Sequence, residues 1–307
     1  MPTNSAARRA GHLVVFAIIW CLSSAASAWW DLGHHSICEL ALEKVSPATR
    51  GEIERLLSID APEKYLAPES FGASCTWADR IKGKYKSSRP WHYLNVPQQF
   101  TDVTKVPRPE GGDILSALET FSRVFSDTRQ SDTDRAEALR FIGHFLGDLH
   151  QPMHLGRKAD RGGNRIKMDL SPGIAMILGE KKRRATNLHV VWDGYSLLYA
   201  KKTGDASLKK LITESNARTT EGDVLSWAND TLTVLRQDAA HYNDLDNDTS
   251  ALTNLTEAYL SAITPIALEQ VATAAYRLAA LLDSLLLDPL LTGSLHQQPL
   301  LMHTRRQ

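Results

Sequence analysis

Two short stretches of the sequence place histidines and aspartates at a spacing that suits metal binding. His144 and Asp148 lie four residues apart, and His154 follows the next proline. His189 and Asp193 repeat the four-residue spacing further along the chain. Residues four apart share one face of an α-helix, so each pair can present an imidazole and a carboxylate together. A single such pair is typical of a surface ion pair, but two pairs with a turn histidine favour a metal site.

Further candidates come from three other parts of the chain. Asp79 and His92 each lie beside a tryptophan, and His34 lies near the start. One tetrahedral zinc takes four ligands, so the full set is too large for one ion and suits three ions that share a carboxylate. Imidazole and carboxylate without thiolate indicate catalytic zinc, and clustered ions can clamp a phosphoryl oxygen. The candidate side chains are His34, Asp79, His92, His144, Asp148, His154, His189 and Asp193.

The first 28 residues have the features of a secretory signal peptide. They begin with a basic pair, continue with an apolar run and end in Ala26-Ser27-Ala28, which matches an A-x-A cleavage site. Cleavage between Ala28 and Trp29 would leave a free α-amino group of pKa about 8 on Trp29. Such an amine can lose its proton and bind a metal, and its own carbonyl can close a chelate. An uncleaved membrane anchor is the alternative.

Composition indicates an exported protein of one or two domains. The residues after the leader carry 33 basic and 35 acidic side chains, so the chain lacks the strongly basic face typical of duplex-DNA binding. Metals and a few local cations could still hold nucleic acid. We expect no second apolar run long enough to span a membrane, hence a soluble mature form. The low cysteine count and the short leader favour a secreted or periplasmic location.

Most of the chain is predicted to be helical. Cap and proline signals predict helices over 46–58, 113–125 and 132–151, and Thr264-Pro265 is expected to open a long helix with a buried leucine stripe. Residues 155–185 are rich in glycine and charge, which predicts a loop or a short hairpin. The basic run 181–184 is either a solvated loop or a guide for a polyanionic substrate. Residues 288–307 have no pattern and are predicted to be disordered.

The ordered set of motifs resembles the S1/P1 nuclease family, the three-zinc single-strand nucleases and 3′-nucleotidases. A single motif of this kind is weak, but the series in this order is specific. The resemblance implies one all-α domain over residues 29–287 with a metal cluster in a cleft. The matching stretches are Trp29 to His34, Trp77-Ala78-Asp79, Trp91-His92-Tyr93, His144 to His154, Gly162-Gly163-Asn164 and Asn187 to Asp193.

The resemblance also implies a role for each ligand. It implies three zinc ions, the third of which is bound in part by the Trp29 amine and carbonyl. Asp148 would bridge the first and third ions. The implied sets are Asp79, His92, His144 and Asp148 for the first zinc, His154, His189 and Asp193 for the second, and Trp29, His34 and Asp148 for the third.

Catalytic and substrate-binding residues follow from the same resemblance. Asp79 would orient the attacking water, and Lys82 would place a cation on the phosphate. Tyr93 would stack on a base, which is worth about 1–3 kcal/mol. Asn95 stands where some members have an aspartate, so the base preference is open, because an amide both donates and accepts. Asn164 is a further predicted substrate contact.

The implied activity is metal-assisted, in-line hydrolysis of single-stranded DNA and RNA to 5′-mononucleotides. Nucleotides would also be substrates, through 3′-nucleotidase activity, and the mature protein is expected to be a monomer without a membrane partner. One alternative is a zinc phospholipase C, which shares the fold and the N-terminal tryptophan ligand. The other is a non-catalytic zinc-binding protein, although this leaves Lys82 and Tyr93 unexplained.

Two cysteines remain after the leader, and they allow two states. Cys38 lies four residues after His34, and Cys75 lies four residues before Asp79. If both segments are helical and both ligands converge on neighbouring zincs, the thiols come close. We therefore expect a Cys38–Cys75 disulfide in an oxidising compartment, worth about 3–4 kcal/mol. Two buried free thiols are the alternative.

Overall fold

The computed structural model describes residues 29–59, 70–180, 185–217, 219–237, 240, 242 and 253–287. The predicted leader, the basic run 181–184 and the predicted disordered tail lie outside these residues. The described chain is mainly helical with one small sheet, which confirms the predicted all-α class while adding three short strands.

Helices account for most of the described elements. The α-helices are α1 Trp30–Lys44, α2 Pro47–Leu57, α3 Phe71–Ser74, α4 Trp77–Ile81, α5 Ile114–Ser126, α6 Asp132–Leu149, α7 Pro172–Leu178, α8 Leu188–Val190, α9 Ser196–Thr203, α10 Leu208–Thr213, α11 Val224–Leu235 and α12 Glu257–Leu287. Short 3-10 helices span Lys86–His92, Val103–Lys105 and Pro152–Leu155, and one π-helical turn spans Val191–Tyr195.

Three predicted helix starts are confirmed by their caps. The Ser46 hydroxyl accepts from the backbone N–H of Thr49, and Pro47 fills the first helical position. Asp113 and Ser116 form a reciprocal capping box at the start of α5. The Ser131 side chain caps α6. These bonds satisfy the first N–H groups of each helix, which have no carbonyl acceptor within the helix. The side chains next to each boundary therefore determine where the helix begins.

The predicted start of the last helix was wrong. Helix α12 begins at Glu257 and runs through Pro265 without a break. Leu260 and Ile263, both fully buried, pack into the core before the proline. A proline inside a helix removes one N–H donor and adds a clash with the preceding turn. The burial of these two side chains offsets that cost and extends the helix by two turns.

The core is built around α6. Helix α5 packs along α6, α1 packs along α12, and both pairs meet at α6. The described part of α6 from residue 138 onward is buried on all sides. This helix therefore carries its polar residues, including His144 and Asp148, into the interior of the protein.

One described helix, α12, is long and apolar enough to cross a membrane by length and composition alone. The expectation that no such run follows the leader is therefore wrong on that count. Of its apolar window, 56% is buried within the protein.

Residues 155–185 contain regular structure that was predicted only in part. Strand β1, Lys167–Leu170, pairs antiparallel with β2, Ala185–Asn187, in the register Lys167 to Asn187. Strand β3, Thr253–Leu255, adds parallel to the other edge of β1. Helix α7 lies between β1 and β2 in the sequence, so the two paired strands are not joined by a tight hairpin turn.

The predicted disulfide is present. Cys38 of α1 is bonded to Cys75, which follows α3, with 6.6 Å between their Cα atoms. A Cβ on Gly143 of α6 would lie 2.3 Å from the Cys75 sulfur, so only glycine lets α6 approach the bridge this closely. The disulfide thus joins α1, which carries His34, to the segment that leads into Asp79.

Candidate metal centre

Seven different local elements deliver the eight predicted side-chain ligands, all of them largely buried. Helix α1 supplies one histidine, α4 an aspartate, and α6 a histidine and an aspartate one turn apart. Two 3-10 helices each contribute a histidine, and α8 with the π-helical turn contributes the final pair. The residues, in this order, are His34; Asp79; His144 and Asp148; His92 and His154; His189 and Asp193.

The first group surrounds Asp148. Its Oδ2 lies 2.9 Å from Nδ1 of His92 and 3.2 Å from Nε2 of His144. The Oδ1 atom of Asp79 lies 3.7 Å and 3.6 Å from the same two nitrogens. Adjacent ligands of a tetrahedral zinc with bonds of about 2.0–2.1 Å are about 3.3 Å apart. The four atoms are therefore spaced as the ligands of one zinc would be.

The other oxygen of Asp148 faces His34. Its Oδ1 lies 3.2 Å from Nε2 of His34, and the His34 ring stacks on the His144 ring with 3.9 Å between centroids. Since the two oxygens of Asp148 face different histidines, this carboxylate is placed to bridge two ions.

His154, His189 and Asp193 form a separate group, with ligand atoms all within 4.8 Å of one another. His189 Nε2 lies 3.3 Å from Asp193 Oδ2, across a π-helical turn. Such turns occur frequently at functional sites because they alter the direction of side chains within a helix. Gln151 donates its amide to Asp193 Oδ1 and orients the second oxygen.

Backbone carbonyls fix the tautomers of three of these histidines. Nδ1 of His144 is 2.6 Å from the Cys75 carbonyl, Nδ1 of His189 is 2.6 Å from the Gly162 carbonyl, and Nδ1 of His154 bonds the His92 carbonyl. A carbonyl can only accept, so each Nδ1 must carry the proton. The opposite nitrogen, Nε2, is then an acceptor.

Acceptor groups consequently face one another. Nε2 of His189 faces Asp193 Oδ2, and Nε2 of His144 faces Asp148 Oδ2, although two acceptors cannot hydrogen-bond. Among the described residues, Asp193 Oδ2, Asp148 Oδ1 and both ring nitrogens of His34 are buried without a hydrogen-bond partner. Buried polar groups are normally satisfied. A cation between them resolves the conflict, so this donor set fits bound zinc.

Electrostatics at the site favour the ligating forms. Burial lowers the pKa of His154 to about 3 and of His189 to about 4, which keeps both imidazoles neutral. Burial also lowers the pKa of His34 and His92. Burial opposes ionisation of Asp148, but the neighbouring imidazoles hold its pKa well below the usual value. Burial raises the pKa of Asp193, which only a nearby cation would reverse.

The metal-free protein should lose stability as the pH falls below about 6.5, the value for an unfolded imidazole. His154 and His189 titrate near 3 and 4 when folded, so the unfolded chain takes up protons first and is favoured. Two groups oppose this effect, because neighbouring carboxylates raise the pKa of His144 against its burial and burial raises the pKa of Asp193. The pKa values of four imidazoles are lowered, so we expect the loss of stability to prevail.

Denaturant unfolding of the chelator-treated protein at pH 7 and pH 5 measures this effect. The free energy of unfolding should be smaller at pH 5, and His189→Gln should reduce the difference because one titrating imidazole is gone. A free energy that is unchanged or larger at pH 5 would contradict this assignment of neutral buried imidazoles.

Trp29 is fully buried at the start of α1. Its indole N–H donates to the Gly147 carbonyl at 2.9 Å, and its own carbonyl accepts from the His34 N–H at 3.2 Å. These bonds place the Trp29 backbone one helical turn from His34 and next to the chain that carries Asp148. The φ angle of Trp29 is +24°, which is uncommon for a residue other than glycine.

The predicted catalytic and substrate residues fall into three places. Lys82 lies one turn beyond Asp79 and contacts its Oδ1 at 2.6 Å. Tyr93 directly follows His92, and its side chain is 42% exposed. Asn95 is half-buried, and the intervening Leu94 is buried. Asn164 donates its amide to the Arg161 carbonyl within its own turn.

Sequence reasoning missed the groups that orient the predicted ligands, three histidines and Asp193. They are the carbonyls of Cys75, His92 and Gly162, and the Gln151 amide. Backbone carbonyls carry no residue-type signal, so only the glycine pair at Gly162 and the glutamine within the 144–154 motif could have pointed to them.

A helical fold that gathers buried imidazole and carboxylate groups is consistent with the class of metal-dependent hydrolases. The S1/P1 nuclease family matches residues 29–287. The chain therefore belongs to the S1/P1 nuclease family, a zinc-dependent family, and it is a nuclease, a hydrolase that acts on phosphodiester bonds.

Individual relatives agree with this membership. The chain is 30% identical to Endonuclease 2 of Arabidopsis thaliana over 59% of this chain and 61% of that protein. It is 28% identical to Nuclease S1 of Aspergillus oryzae over 90% of this chain and 98% of that protein. Nuclease P1 of Penicillium citrinum is 30% identical over 54% of this chain and 57% of its own length. The matches to Endonuclease 2 and Nuclease P1 thus span about three fifths of each relative.

Proposed function

We propose that this protein is an exported three-zinc phosphodiesterase that hydrolyses single-stranded DNA and RNA to 5′-mononucleotides and removes 3′-phosphates from nucleotides. The observation that carries the proposal is the convergence of buried acceptor atoms on the two oxygens of Asp148 and on Asp193. Family membership across residues 29–287 supports the reaction class and the extent of the catalytic domain.

Nine residues would hold the zinc ions. The first set includes Asp79 and surrounds Asp148 Oδ2, and the second set includes His189 and Asp193. The third set combines His34, Asp148 Oδ1 and the Trp29 amine and carbonyl. When bound, such ions activate water near neutral pH and neutralise charge on phosphoryl oxygens. The residues of the three sets are Asp79, His92, His144 and Asp148; His154, His189 and Asp193; and Trp29, His34 and Asp148.

Asp79 and Lys82 would act beside the cluster. The Asp79 carboxylate lies at the edge of the first set, and it can accept a proton from a water and aim the oxygen at phosphorus. Lys82 is held one turn away by its contact with Asp79 and can turn its ammonium group to a phosphate oxygen, where charge develops in the transition state. A carboxylate–ammonium pair of this kind supports phosphoester hydrolysis more than metal storage.

Tyr93 would bind a base. Its ring is exposed, Tyr93 directly follows His92 of the first metal group, and Asn95 two residues further on would offer an amide to the base edge. A base paired within a duplex cannot swing onto this ring, so unpaired strands are preferred. Asn164 would contact the substrate from the glycine turn that also supports His189.

Tyr93→Ala should raise the KM for single-stranded DNA more than it lowers kcat, because stacking stabilises the ground state and the transition state alike. A loss of one stacking contact of about 1–3 kcal/mol corresponds to roughly 5- to 150-fold in kcat/KM. Steady-state kinetics on a short single strand measure it, and an abasic substrate is the control, since both proteins should cleave it equally. An unchanged KM for single-stranded DNA would remove Tyr93 from the base site.

Export and processing complete the proposal. The signal-like leader and the Cys38–Cys75 disulfide support passage to an oxidising compartment, with cleavage between Ala28 and Trp29. The φ torsion of Trp29 exists only while the residue is acylated, so cleavage would also relieve its unfavourable value. The mature form would be a soluble monomer.

The test is turnover by the processed protein. The zinc-loaded enzyme should cleave single-stranded DNA to products with 5′-phosphates, lose activity with a chelator and regain it with zinc. Duplex DNA of the same sequence should be cleaved more slowly. Hydrolysis of phosphatidylcholine without cleavage of single strands would instead favour a phospholipase C, and zinc binding with no turnover would favour a storage protein.

A further inference from the structure

Asp160 is a buried carboxylate that belongs to none of the metal groups. The residue is only 3% exposed. The hydrogen bonds that its side chain makes to described residues come from Arg157 and Gly163 of its own loop and from Tyr242. The Gly163 N–H donates to Oδ1 at 2.9 Å, and Arg157 Nε donates to Oδ2 at 3.0 Å. The Tyr242 hydroxyl lies 2.9 Å and 3.0 Å from the two oxygens. These donors balance the buried charge.

One peptide unit connects this carboxylate to the metal centre. The N–H of Gly163 and the C=O of Gly162 belong to the same planar amide group. The N–H end is bonded to Asp160, and the C=O end accepts from Nδ1 of His189 at 2.6 Å. Rotation of this plane would therefore break both bonds together.

The turn is built so that the plane has one orientation. Gly162 and Gly163 have φ angles of +60° and +81°, a region that favours glycine. A Cβ on Gly162 would lie 2.4 Å from the Met153 carbonyl oxygen, so the backbone itself is packed against the 3-10 helix that carries His154.

Tyr242 holds the carboxylate from outside the turn. Its hydroxyl donates to Asp160 and accepts from the Arg157 backbone N–H at 2.7 Å, and the Arg157 guanidinium lies 4.4 Å from its ring centroid. Burial first, and then the charge of Asp160, raise the pKa of Tyr242 well above its ordinary value, so the hydroxyl keeps its proton for this bond.

We propose that Asp160, held by Tyr242, is a positioning residue for the zinc ligand His189. By fixing the 162–163 peptide plane it sets the ring orientation and tautomer of His189, and it polarises the carbonyl that receives the Nδ1 proton. Groups that orient a metal-bound histidine in this way typically change metal affinity 10- to 100-fold when altered. This inference rests on the proposed zinc site of His154, His189 and Asp193.

Competition against a chromogenic chelator, using the complete processed protein, tests it through zinc affinity. In Asp160→Asn and in Tyr242→Phe, one of the three zinc ions should bind about 10- to 100-fold more weakly, while the other two keep their affinity. The matched control is Tyr199→Phe, which also deletes a largely buried tyrosine hydroxyl, one bonded to Glu257 at 3.0 Å on a different part of the fold. This control should keep all three affinities.

A double variant assigns the weakened ion. In a His189→Ala background, adding Asp160→Asn should cause no further loss of zinc affinity, because the affected ligand is already absent. If Asp160→Asn does not fold, Tyr242→Phe decides, since it removes a single oxygen atom.

Two results would overturn the inference. Variants that lower the melting temperature but bind three zincs as the wild type does would leave Asp160 a purely structural role. If Asp160→Asn weakens zinc binding further in the His189→Ala background, Asp160 must act on a ligand other than His189. If the wild-type protein itself holds no zinc at the His189 group, the proposed function fails as well, and the two failures are thereby distinguishable.

Discussion

A protein that retains one residue in front of Trp29 should lose one zinc ion and most of its nuclease activity. The extra residue converts the Trp29 amine into an amide, whose nitrogen is a poor zinc ligand near neutral pH. Trp29 is fully buried, its indole N–H donates to the Gly147 carbonyl and its own carbonyl accepts from the His34 N–H, so these contacts hold the residue in place. The site of the third ion would then keep only His34, Asp148 and the Trp29 carbonyl.

The experiment compares a Met-Trp29 start with a precisely processed Trp29 start, both purified after identical folding. Zinc per chain, measured by atomic absorption, should fall from three to two, with turnover on single-stranded DNA falling in parallel. A helical circular dichroism spectrum shared by both forms controls for folding. Full zinc content and full activity in the extended form would rule out the chelate at Trp29.

Asp79→Asn should lower turnover on single-stranded DNA by at least about 100-fold. The amide is isosteric but uncharged, so it neither accepts the proton of the attacking water nor completes the first zinc set. It also removes the charge that holds Lys82, whose ammonium group lies 2.6 Å from the carboxylate. The helical fold should persist, because the disulfide joins α1 to Cys75, in the segment that leads into α4.

The matched comparison is Asp31→Asn, at an exposed aspartate near the start of α1 that lies 3.8 Å from Arg80. Exposed pairs of this kind contribute little to stability, and this variant should retain wild-type turnover. Near-normal activity of Asp79→Asn with three zincs bound would show that a different carboxylate orients the water.

The sequence was most informative where chemistry is carried by side chains. His144 with Asp148, and His189 with Asp193, were predicted from spacing, and the structure brings each pair to within 3.3 Å. The helix caps at Ser46 and Asp113 could be predicted because each depends only on residues that are close in the sequence. The Cys38–Cys75 pairing required the additional premise that His34 and Asp79 converge, and the disulfide agrees with it.

Features that depend on tertiary packing could not be predicted from the sequence. The start of α12 before Pro265 is determined by burial of Leu260 and Ile263, which a local breaker signal cannot reveal. Strand β3 pairs with β1 from over eighty residues away in the sequence. The Gly162 carbonyl and its clamp by Asp160 involve backbone groups that every residue possesses, so their role emerges only from the fold.

The most direct measurement is a crystal structure of the processed protein with anomalous diffraction recorded on both sides of the zinc absorption edge. Three zinc peaks are expected, two of them bridged by Asp148, with the third at the His189 group. Their ligands should be Trp29, His34 and Asp148; Asp79, His92, His144 and Asp148; and His154, His189 and Asp193. Fewer than three peaks in zinc-saturated protein, or peaks away from these side chains, would contradict the three-zinc site.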